Sequence, residues 1–253
     1  WLKTQNTFNY RAELFEEESE TIDNVLFDSG AFNFSATVQL KEDWELSVGY
    51  LKSTYSNDYQ LTFIDIEEDE AFYNNNVYND IKDEGITIRT KHQIQPNLSL
   101  QAGYDYNQKE VNFSSEITGE YEEDLMDFNF GQGRFHNVFG SLNYQQQDLQ
   151  INGGIRATYF VEANHTAVAP RVNLQYALSD QLKFKISGGI FQQYISQLKE
   201  FGENALDLNN QVWILNQGED EDDILQSAKK VAGGLVYHHQ GWLIDVEGYY
   251  HQT

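Results

Sequence analysis

The sequence contains no cysteine and only two prolines, Pro96 and Pro170. The lack of cysteine excludes disulfide frameworks and cysteine-based zinc or redox sites. Basic residues are also scarce, since 16 Lys and Arg stand against 40 Asp and Glu, which gives a net charge of -24. Because the phosphates of nucleic acids are bound by Lys and Arg, a nucleic-acid partner is not expected.

Long apolar runs are missing as well. No stretch of about 18 apolar residues occurs, which excludes a transmembrane helix. The residues after Trp1 show no basic start, apolar run and small-residue cleavage site, so no signal peptide is visible. Nucleophile elbows, phosphate-binding loops and zinc-binding helices do not occur either. The sequence therefore predicts a protein that is not an enzyme.

The main positive feature is an alternation of apolar and polar residues. The segment FNFSATVQL, residues 32–40, places Phe, Ala, Val and Leu on one face of a strand and Asn, Ser, Thr and Gln on the other. The same pattern recurs in about eleven segments. Many reach about ten residues, which a tilted strand needs to cross a bilayer. Tyrosines near the strand ends suit the aromatic girdles of a membrane barrel.

The connections between these segments alternate between short and long. KEDW, QPN, QQQD, SDQ and HQGW are short, HTAVA is modest, and residues 17–29, 62–83, 114–132 and 198–227 are long. Short periplasmic turns and long extracellular loops are typical of outer-membrane barrels. We therefore predict an all-β, antiparallel up-and-down transmembrane β-barrel segment with long acidic outer loops. Pro96 is expected in a turn and Pro170 at the start of a strand.

The polar faces of the strands carry charged residues. The lumen-facing set is predicted to include Arg11, Arg89, Lys91, Asp105 and Arg156, together with Glu13, Asp245 and Glu247. The alternative is a large soluble antiparallel sheet or sandwich with its apolar face on a core. So many charged positions on one wide sheet favour a sheet that curls around water.

Three segments resemble a known family. They are SGAFNFSATVQLKEDWELSVGYLKSTY, APRVNLQYALSDQLKFKISGGIFQQYISQL and GGLVYHHQGWLIDVEGYYHQT. In order and spacing they resemble the barrel of TonB-dependent outer-membrane receptors, especially the Bacteroidetes type. The resemblance implies a barrel of about 22 strands filled by an N-terminal plug. The sequence shows no plug, TonB box or closing aromatic strand, so residues 1–253 are expected to be a middle-to-late part of one barrel domain in a larger chain.

The resemblance also implies a cellular setting. We expect the cell outer membrane of a Gram-negative bacterium, with contacts to outer-membrane lipid and lipopolysaccharide. The implied partners are a TonB-type energy-coupling complex acting through the plug, a surface lipoprotein, and a siderophore, metal-chelate or glycan cargo. Two other functions remain open from the residues alone. One is a soluble or surface-attached, calcium-dependent binding or adhesion protein, and the other is a passive porin-type pore.

Aromatic residues in the predicted outer loops are the first candidates for ligand binding. Phe72, Tyr73 and Tyr78 lie in AFYNNNVYND, and Trp213 lies in NNQVWILNQ. Aromatic rings beside asparagine can stack on sugars or planar chelates while the amides supply hydrogen bonds. The alternative is that these rings pack the loops against the barrel rim or the plug.

Acidic clusters are the second group of candidates. EEESE, IEEDE, EYEED and GEDEDD all fall in predicted outer loops, and Glu219, Asp220, Asp222 and Asp223 form the last of them. Such clusters could bind calcium, attract a cationic cargo, bridge lipopolysaccharide, or simply form a solvated surface. None matches the calcium-loop pattern, so no metal site or cofactor is assigned beyond loop-bound calcium. His238 and His239 are adjacent and point to opposite faces of a strand, so they cannot share a metal.

Overall fold

The computed structural model describes residues 2–13, 19–65, 70–119, 123–199, 211–216 and 225–253. The strands are β1 (Leu2–Glu13), β2 (Ser19–Lys41), β3 (Trp44–Asp65), β4 (Glu70–Gln95), β5 (Leu98–Gly119), β6 (Glu123–Gln146), β7 (Leu149–Phe160), β8 (His165–Ala177), β9 (Leu182–Gln193), β10 (Ile195–Lys199), β11 (Gln211–Leu215), β12 (Gln226–His239) and β13 (Trp242–Gln252). Within these ranges, no helix has the length and apolar character needed to cross a membrane.

Eleven strands form a single sheet in the order β1 to β9, then β12 and β13, and β10 pairs with β11 as a separate hairpin. Every strand is antiparallel to its neighbours. The predicted all-β, up-and-down order is therefore confirmed. β1 and β13 are the two edges of the sheet among the described residues.

The short connections lie where the sequence predicts them. In the last hairpin, Gln240 and Gly241 have φ values of 47° and 86°. Two positive φ values in a two-residue loop match the right-handed twist of the flanking strands. Pro96 lies in the turn between β4 and β5, as expected.

Several strands are longer than the alternation alone predicts. β2 to β6 have 22 to 26 residues, so most of the predicted loops 17–29, 62–83 and 114–132 belongs to strands. Backbone pairing does not require apolar side chains, so it continues past the apolar segments, where polar side chains of neighbouring strands face each other. Thr62 Oγ1, for example, donates to Asn74 Oδ1 at 3.1 Å. The HTAVA connection is likewise the first part of β8.

One face of the sheet, which we call the outer face, carries an exposed apolar band. Phe34, Val138 and Ile155 on this face are 58%, 60% and 55% exposed. His136, paired with Tyr106 and Tyr159, marks one border of the band, and Tyr144 lies at the other. The nine residues from His136 to Tyr144 span about 26 Å along the strand, and about 9 to 11 residues are what a tilted strand needs to cross a bilayer.

The prediction that Pro170 starts a strand is wrong, because it is the sixth residue of β8. The reason is a split in the sheet. β8 pairs with β9 only from Arg171 to Ala177, so residues 165–170 pair with β7 alone. Proline, which has no N–H to donate, is tolerated where one side of the strand lacks a ladder.

The opposite face, which we call the inner face, holds the buried residues. Val111, Phe135 and Phe160 pack there with Leu215 of β11, all at most 3% exposed. A single cavity is lined by Ile81 of β4 and by Gln193 of β9. In a flat sheet, five strand spacings would separate these strands by about 24 Å. The sheet therefore curls toward its inner face, and the hairpin β10–β11 folds onto that face.

Candidate functional site

A cluster of charged residues crosses the inner face from β4 to β7. Arg156 Nη2 donates a hydrogen bond to Asp105 Oδ2, and Arg89 Nη2 lies 4.0 Å from Asp105 Oδ1. The Asp105 side chain is only 6% exposed, whereas the two arginine side chains are 50% and 40% exposed. A buried carboxylate requires such partners. Both guanidinium groups therefore remain partly exposed on the inner face of the sheet.

An aromatic ring holds the two arginines in place. Arg89 Cζ lies 5.8 Å and Arg156 Cζ lies 5.6 Å from the centre of the Phe139 ring. The Phe139 ring occupies the space over Gly103, its neighbour across the sheet, which has no side chain. A Cβ atom at Gly103 would overlap the ring and would lie 2.6 Å from the carbonyl oxygen of Ile88. Glycine is therefore required there by close packing.

Arg171 of β8, on the strand next to that of Arg156, is placed against a ring in the same way. Its Cζ lies 4.8 Å from the centre of the Phe191 ring, and Lys230 Nζ lies 5.3 Å from the same centre. A Cβ at Gly189 would lie 2.9 Å from the Pro170 oxygen and 3.0 Å from Arg171 Cγ, so the glycine leaves room for the arginine. We call Arg89, Arg156 and Arg171 the arginine strip.

Inner-face charges nearer the turns of β8–β9 and β12–β13 are paired differently. Lys185 Nζ lies 2.8 Å from a carboxylate oxygen of Asp245 and 2.8 Å from one of Glu247. Two carboxylates thus share one ammonium group, and this part of the wall has no surplus of positive charge. The arginine strip has the opposite balance, because Arg89 and Arg156 share the single carboxylate of Asp105 and Arg171 adds a third guanidinium group.

The strip lines two cavities that meet at Arg156, Ala169 and Arg171. The larger has a volume of about 490 Å³ and lies beneath the hairpin β10–β11. The smaller, of about 410 Å³, extends to Arg89 and Phe139. Both volumes fall in the range of small-molecule sites, about 300 to 1,000 Å³.

The lining of the larger cavity combines cations, amides and rings. Lys109, Arg156 and Arg171 supply the positive charge. The amides come from Asn107, Asn137, Gln192 and Gln193, and the rings from Phe135, Tyr194 and Trp213. Burial raises the pKa of Tyr194 to about 12, so its hydroxyl stays neutral and adds no charge.

A buried side chain of the sheet hydrogen-bonds the hairpin that covers this cavity. The Trp213 backbone N–H donates to Asn79 Oδ1 at 2.9 Å, and Asn79 Nδ2 donates to the Trp213 carbonyl at 3.2 Å. Asn79 Nδ2 also donates to the carbonyl of Asn112 at 2.8 Å. Asn79 is completely buried. The side-chain amide of Asn79 thus bonds the backbone of β11 as a neighbouring strand would.

The predicted ligand residues do not form one cluster. Trp213 lies in β11 against the inner face and lines the larger cavity. Phe72, Tyr73 and Tyr78 lie in β4, where the ring centre of Tyr73 is 5.4 Å from that of Phe63. Tyr78 pairs with Asp58, points to the outer face and is 43% exposed. The structure therefore separates Tyr78 from the cavities.

The acidic candidates and one lumen candidate fall elsewhere. Glu219, Asp220, Asp222 and Asp223 lie outside the described residues. Arg11 pairs with Ile22 in β1, and its side chain also lies outside the described part. Lys91 lies two residues from Arg89 in β4, on the same face. No group of three or more His, Asp or Glu suited to a metal ion occurs among the residues that the structure describes.

Several residues of the site were not among the sequence candidates. Arg171, Lys109 and Phe139 are the main examples. Alternation in PRVNLQYAL places Arg171 on the polar face opposite Val172, so the pattern contained that signal. The contribution of Tyr194 had no comparable signal, because it depends on the bend after β9.

Comparison with known proteins gives a consistent family. A family model described as TonB dependent receptor-like, beta-barrel matches residues 3–218. No curated protein sequence matches significantly. The RagAB peptide transporter superposes with a TM-score of 0.51 at 11% identity, covering 95% of this chain and 30% of that one. The unliganded ferric citrate transporter FecA gives 0.55 at 11% identity, covering 92% and 35%. The chain thus spans about a third of these structures, and at such low identity they show the shared fold.

Proposed function

Because this chain belongs to the family of TonB-dependent receptor β-barrels, we propose that it forms part of the wall of an outer-membrane uptake receptor. The observation that carries the proposal is the division of the sheet into two faces. The outer face has an exposed apolar band of bilayer height, and the inner face has a charged, cavity-bearing surface. A soluble sheet would expose that apolar band to water, which is unfavourable over so large an area.

In the proposed mechanism, outer loops and a plug outside this segment capture the cargo. Energy from a TonB-type complex in the inner membrane then moves the plug and opens the lumen. The residues described here contribute shape, charge and hydrogen bonds along the wall. No covalent step is assigned to any of them, and a surface lipoprotein would act as an accessory for cargo delivery.

The cargo class is part of the proposal. The sequence alone favoured a siderophore, metal chelate or glycan. The two similar structures are named for a peptide and for ferric citrate, so the family likeness does not choose among cargo classes. The cargo class must therefore be inferred from the residues on the inner face of this chain.

The test uses the full-length protein in its native bacterium. Membrane fractionation should place it in the outer membrane, and its extracellular segments should be cleaved by protease added to intact cells. Site-specific cross-linking should join its N-terminal region to the periplasmic domain of TonB. A protein that dissolves without detergent and melts at higher temperature with calcium would support the adhesion alternative. Steady conductance of the purified protein in lipid bilayers without TonB would support a passive pore.

A further inference from the structure

The two inner-face cavities carry a charge opposite to that of the whole chain. The net charge is -24, yet Arg89, Lys109, Arg156 and Arg171 line the cavities. Within the described part of the chain, no Asp or Glu is among the lining residues of either cavity. Low-dielectric walls focus the potential of such charges into the space between them. Outside the lining, Asp105 pairs with Arg89 and Arg156, and Asp83 pairs with Lys109. Four cations thus face two carboxylates, and the cavities are a local positive site in an acidic protein.

Arg171 is the cation with the most freedom to bind a ligand. Its Cζ lies over the Phe191 ring, and the Arg171 side chain makes no hydrogen bond to any other residue of the described part of the chain. Among the described residues, no carboxylate lies within ion-pair distance of it. A planar fork of N–H donors held by an aromatic ring is suited to two parallel hydrogen bonds with a carboxylate.

Arg156 supplies a second donor group at the junction of the cavities. Its Nη2 is bonded to Asp105, and the rest of its guanidinium group faces the cavities with 40% of the side chain exposed. Bonding to Asp105 restricts its rotamers before any ligand arrives. Less entropy is then lost when it binds an anion.

The surroundings of these donors indicate what is attached to the anionic group. Trp213, Tyr194 and Phe135 offer apolar and aromatic surface within the same cavity. Asn107, Asn137, Gln192 and Gln193 offer amide donors and acceptors. A ligand that fits would combine an anionic end with a flat or apolar body that carries amide-like groups.

We propose that the double cavity binds the carboxylate of an organic anion during uptake, with Arg156 and Arg171 as its donors and Trp213 against its body. This proposal rests on the proposed function, because it takes the inner face as the cargo route. It differs from the cationic cargo that was one of the readings of the acidic clusters. Those clusters lie mostly outside the described residues, whereas the arginines are directly on the wall.

The test uses the full-length receptor purified in detergent and two small probes that differ only in charge. N-acetyl-L-tryptophan carries a carboxylate, and N-acetyl-L-tryptophanamide is its neutral analogue. Calorimetric titration should show that the carboxylate binds about tenfold tighter or more, since hydrogen bonds to charged groups are the stronger ones. Arg171→Gln removes one of the two donors, so it should reduce that difference several-fold and leave binding of the amide unchanged.

A matched variant controls for net charge. Lys52→Gln removes one positive charge from the outer face, where Lys52 lies 3.9 Å from Glu84, and should leave the affinity for both probes unchanged. Equal affinities of the wild-type receptor for the two probes would overturn the proposal. So would a loss in Lys52→Gln as large as that in Arg171→Gln. If Arg171→Gln left binding intact but lowered the melting temperature, Arg171 would be a partner of the plug and the proposal would be wrong.

Failure of this inference can be distinguished from failure of the proposed function. A receptor that reaches the outer membrane and cross-links to TonB, but that binds both probes equally, retains its function and loses only the carboxylate site. A protein that is absent from the outer membrane loses the proposed function, whatever its affinity for the probes.

Discussion

Asn79 and Trp213 are 134 residues apart in the chain and share two hydrogen bonds, in which the Asn79 side chain pairs with the Trp213 backbone. This contact attaches the hairpin β10–β11 to the wall. Leu215 at 3% exposure adds apolar burial next to it, worth about 1.5 to 3 kcal/mol for a fully buried leucine. The Asn79 amide and this apolar contact therefore both hold the cover of the larger cavity against the sheet.

Replacing Asn79 should loosen the hairpin. Asn79→Ala leaves the Trp213 N–H and carbonyl without their partner, which costs about 1 to 3 kcal/mol for buried groups. Hydrogen exchange of residues 211–216 in the full-length protein should become about 5- to 150-fold faster, if that cost appears as local opening. Asn74→Ala is the control, because Asn74 bonds Thr62 on the outer face of the same strand. Equal exchange in the two variants would contradict the assigned role of Asn79.

The contact also shows what the sequence can and cannot predict. Alternation correctly predicted the apolar outer face through Phe32 to Leu40, and the short turns followed from QPN and HQGW. It also placed Arg89, Asp105 and Arg156 on one face, because the face that each side chain takes follows from alternation along its own strand. The fold of β11 onto β4 depends instead on packing between distant segments. Alternation within a short segment carries no information about such packing, and Trp213 was therefore predicted in an outer loop.

The length of the strands was underestimated for a related reason. Apolar alternation ends near Tyr50 and Tyr106, where the outer face leaves the apolar band. Backbone pairing does not need apolar side chains, and so β3 continues to Asp65 and β5 continues to Gly119. β8 was also predicted too short, because it begins at His165 and not at Pro170. A proline is tolerated inside it since β9 pairs with β8 only from Arg171 onward.

Gly103 should be intolerant of any side chain. Gly103→Ala places a methyl group against the Phe139 ring and 2.6 Å from the Ile88 oxygen, and overpacking of this kind costs about 1 to 3 kcal/mol. The midpoint of urea unfolding in detergent should fall accordingly. Gly153→Ala is the matched control in the neighbouring region, because a Cβ there meets nothing within 4 Å. A loss of stability in Gly153→Ala equal to that in Gly103→Ala would show that close packing is not the cause.

Ile155 should be sensitive to charge because it lies midway along the apolar band. It pairs with Gly140, halfway between His136 and Tyr144, and is 55% exposed on the outer face. Ile155→Lys should cost about 2 to 4 kcal/mol when the whole receptor folds into phosphatidylcholine vesicles, as expected for a lysine at the bilayer midplane.

The control for this prediction lies on the same strand. Asn152→Lys puts the same charge on the inner face, where Asn152 is exposed and lines the smaller cavity. Its effect on folding should stay within about 0.5 kcal/mol. A similar loss in both variants would mean that the outer face does not contact lipid.

The turn between β7 and β8 should weaken in acid through Glu162. Burial raises the pKa of Glu162, but hydrogen bonds from the Arg134 backbone N–H at 2.7 Å and from its Nε at 2.6 Å lower it, and the net pKa lies below the ordinary value of 4.5. A lowered pKa in the folded state means that the stabilisation is present above the ordinary value. It is lost as the pH falls through the folded pKa.

Hydrogen exchange measures this loss directly. The amide of Val161, which donates to the Arg134 carbonyl at 3.0 Å, should lose protection several-fold between pH 7 and about pH 3 after correction for the intrinsic exchange rate. Glu162→Gln removes the titrating group, so its protection should be weaker at pH 7 and should change little with pH. If the variant kept the acid-induced loss of the wild type, another group would have to be responsible. The bonds from Arg134 to Glu162 would then not be what holds this turn to β6.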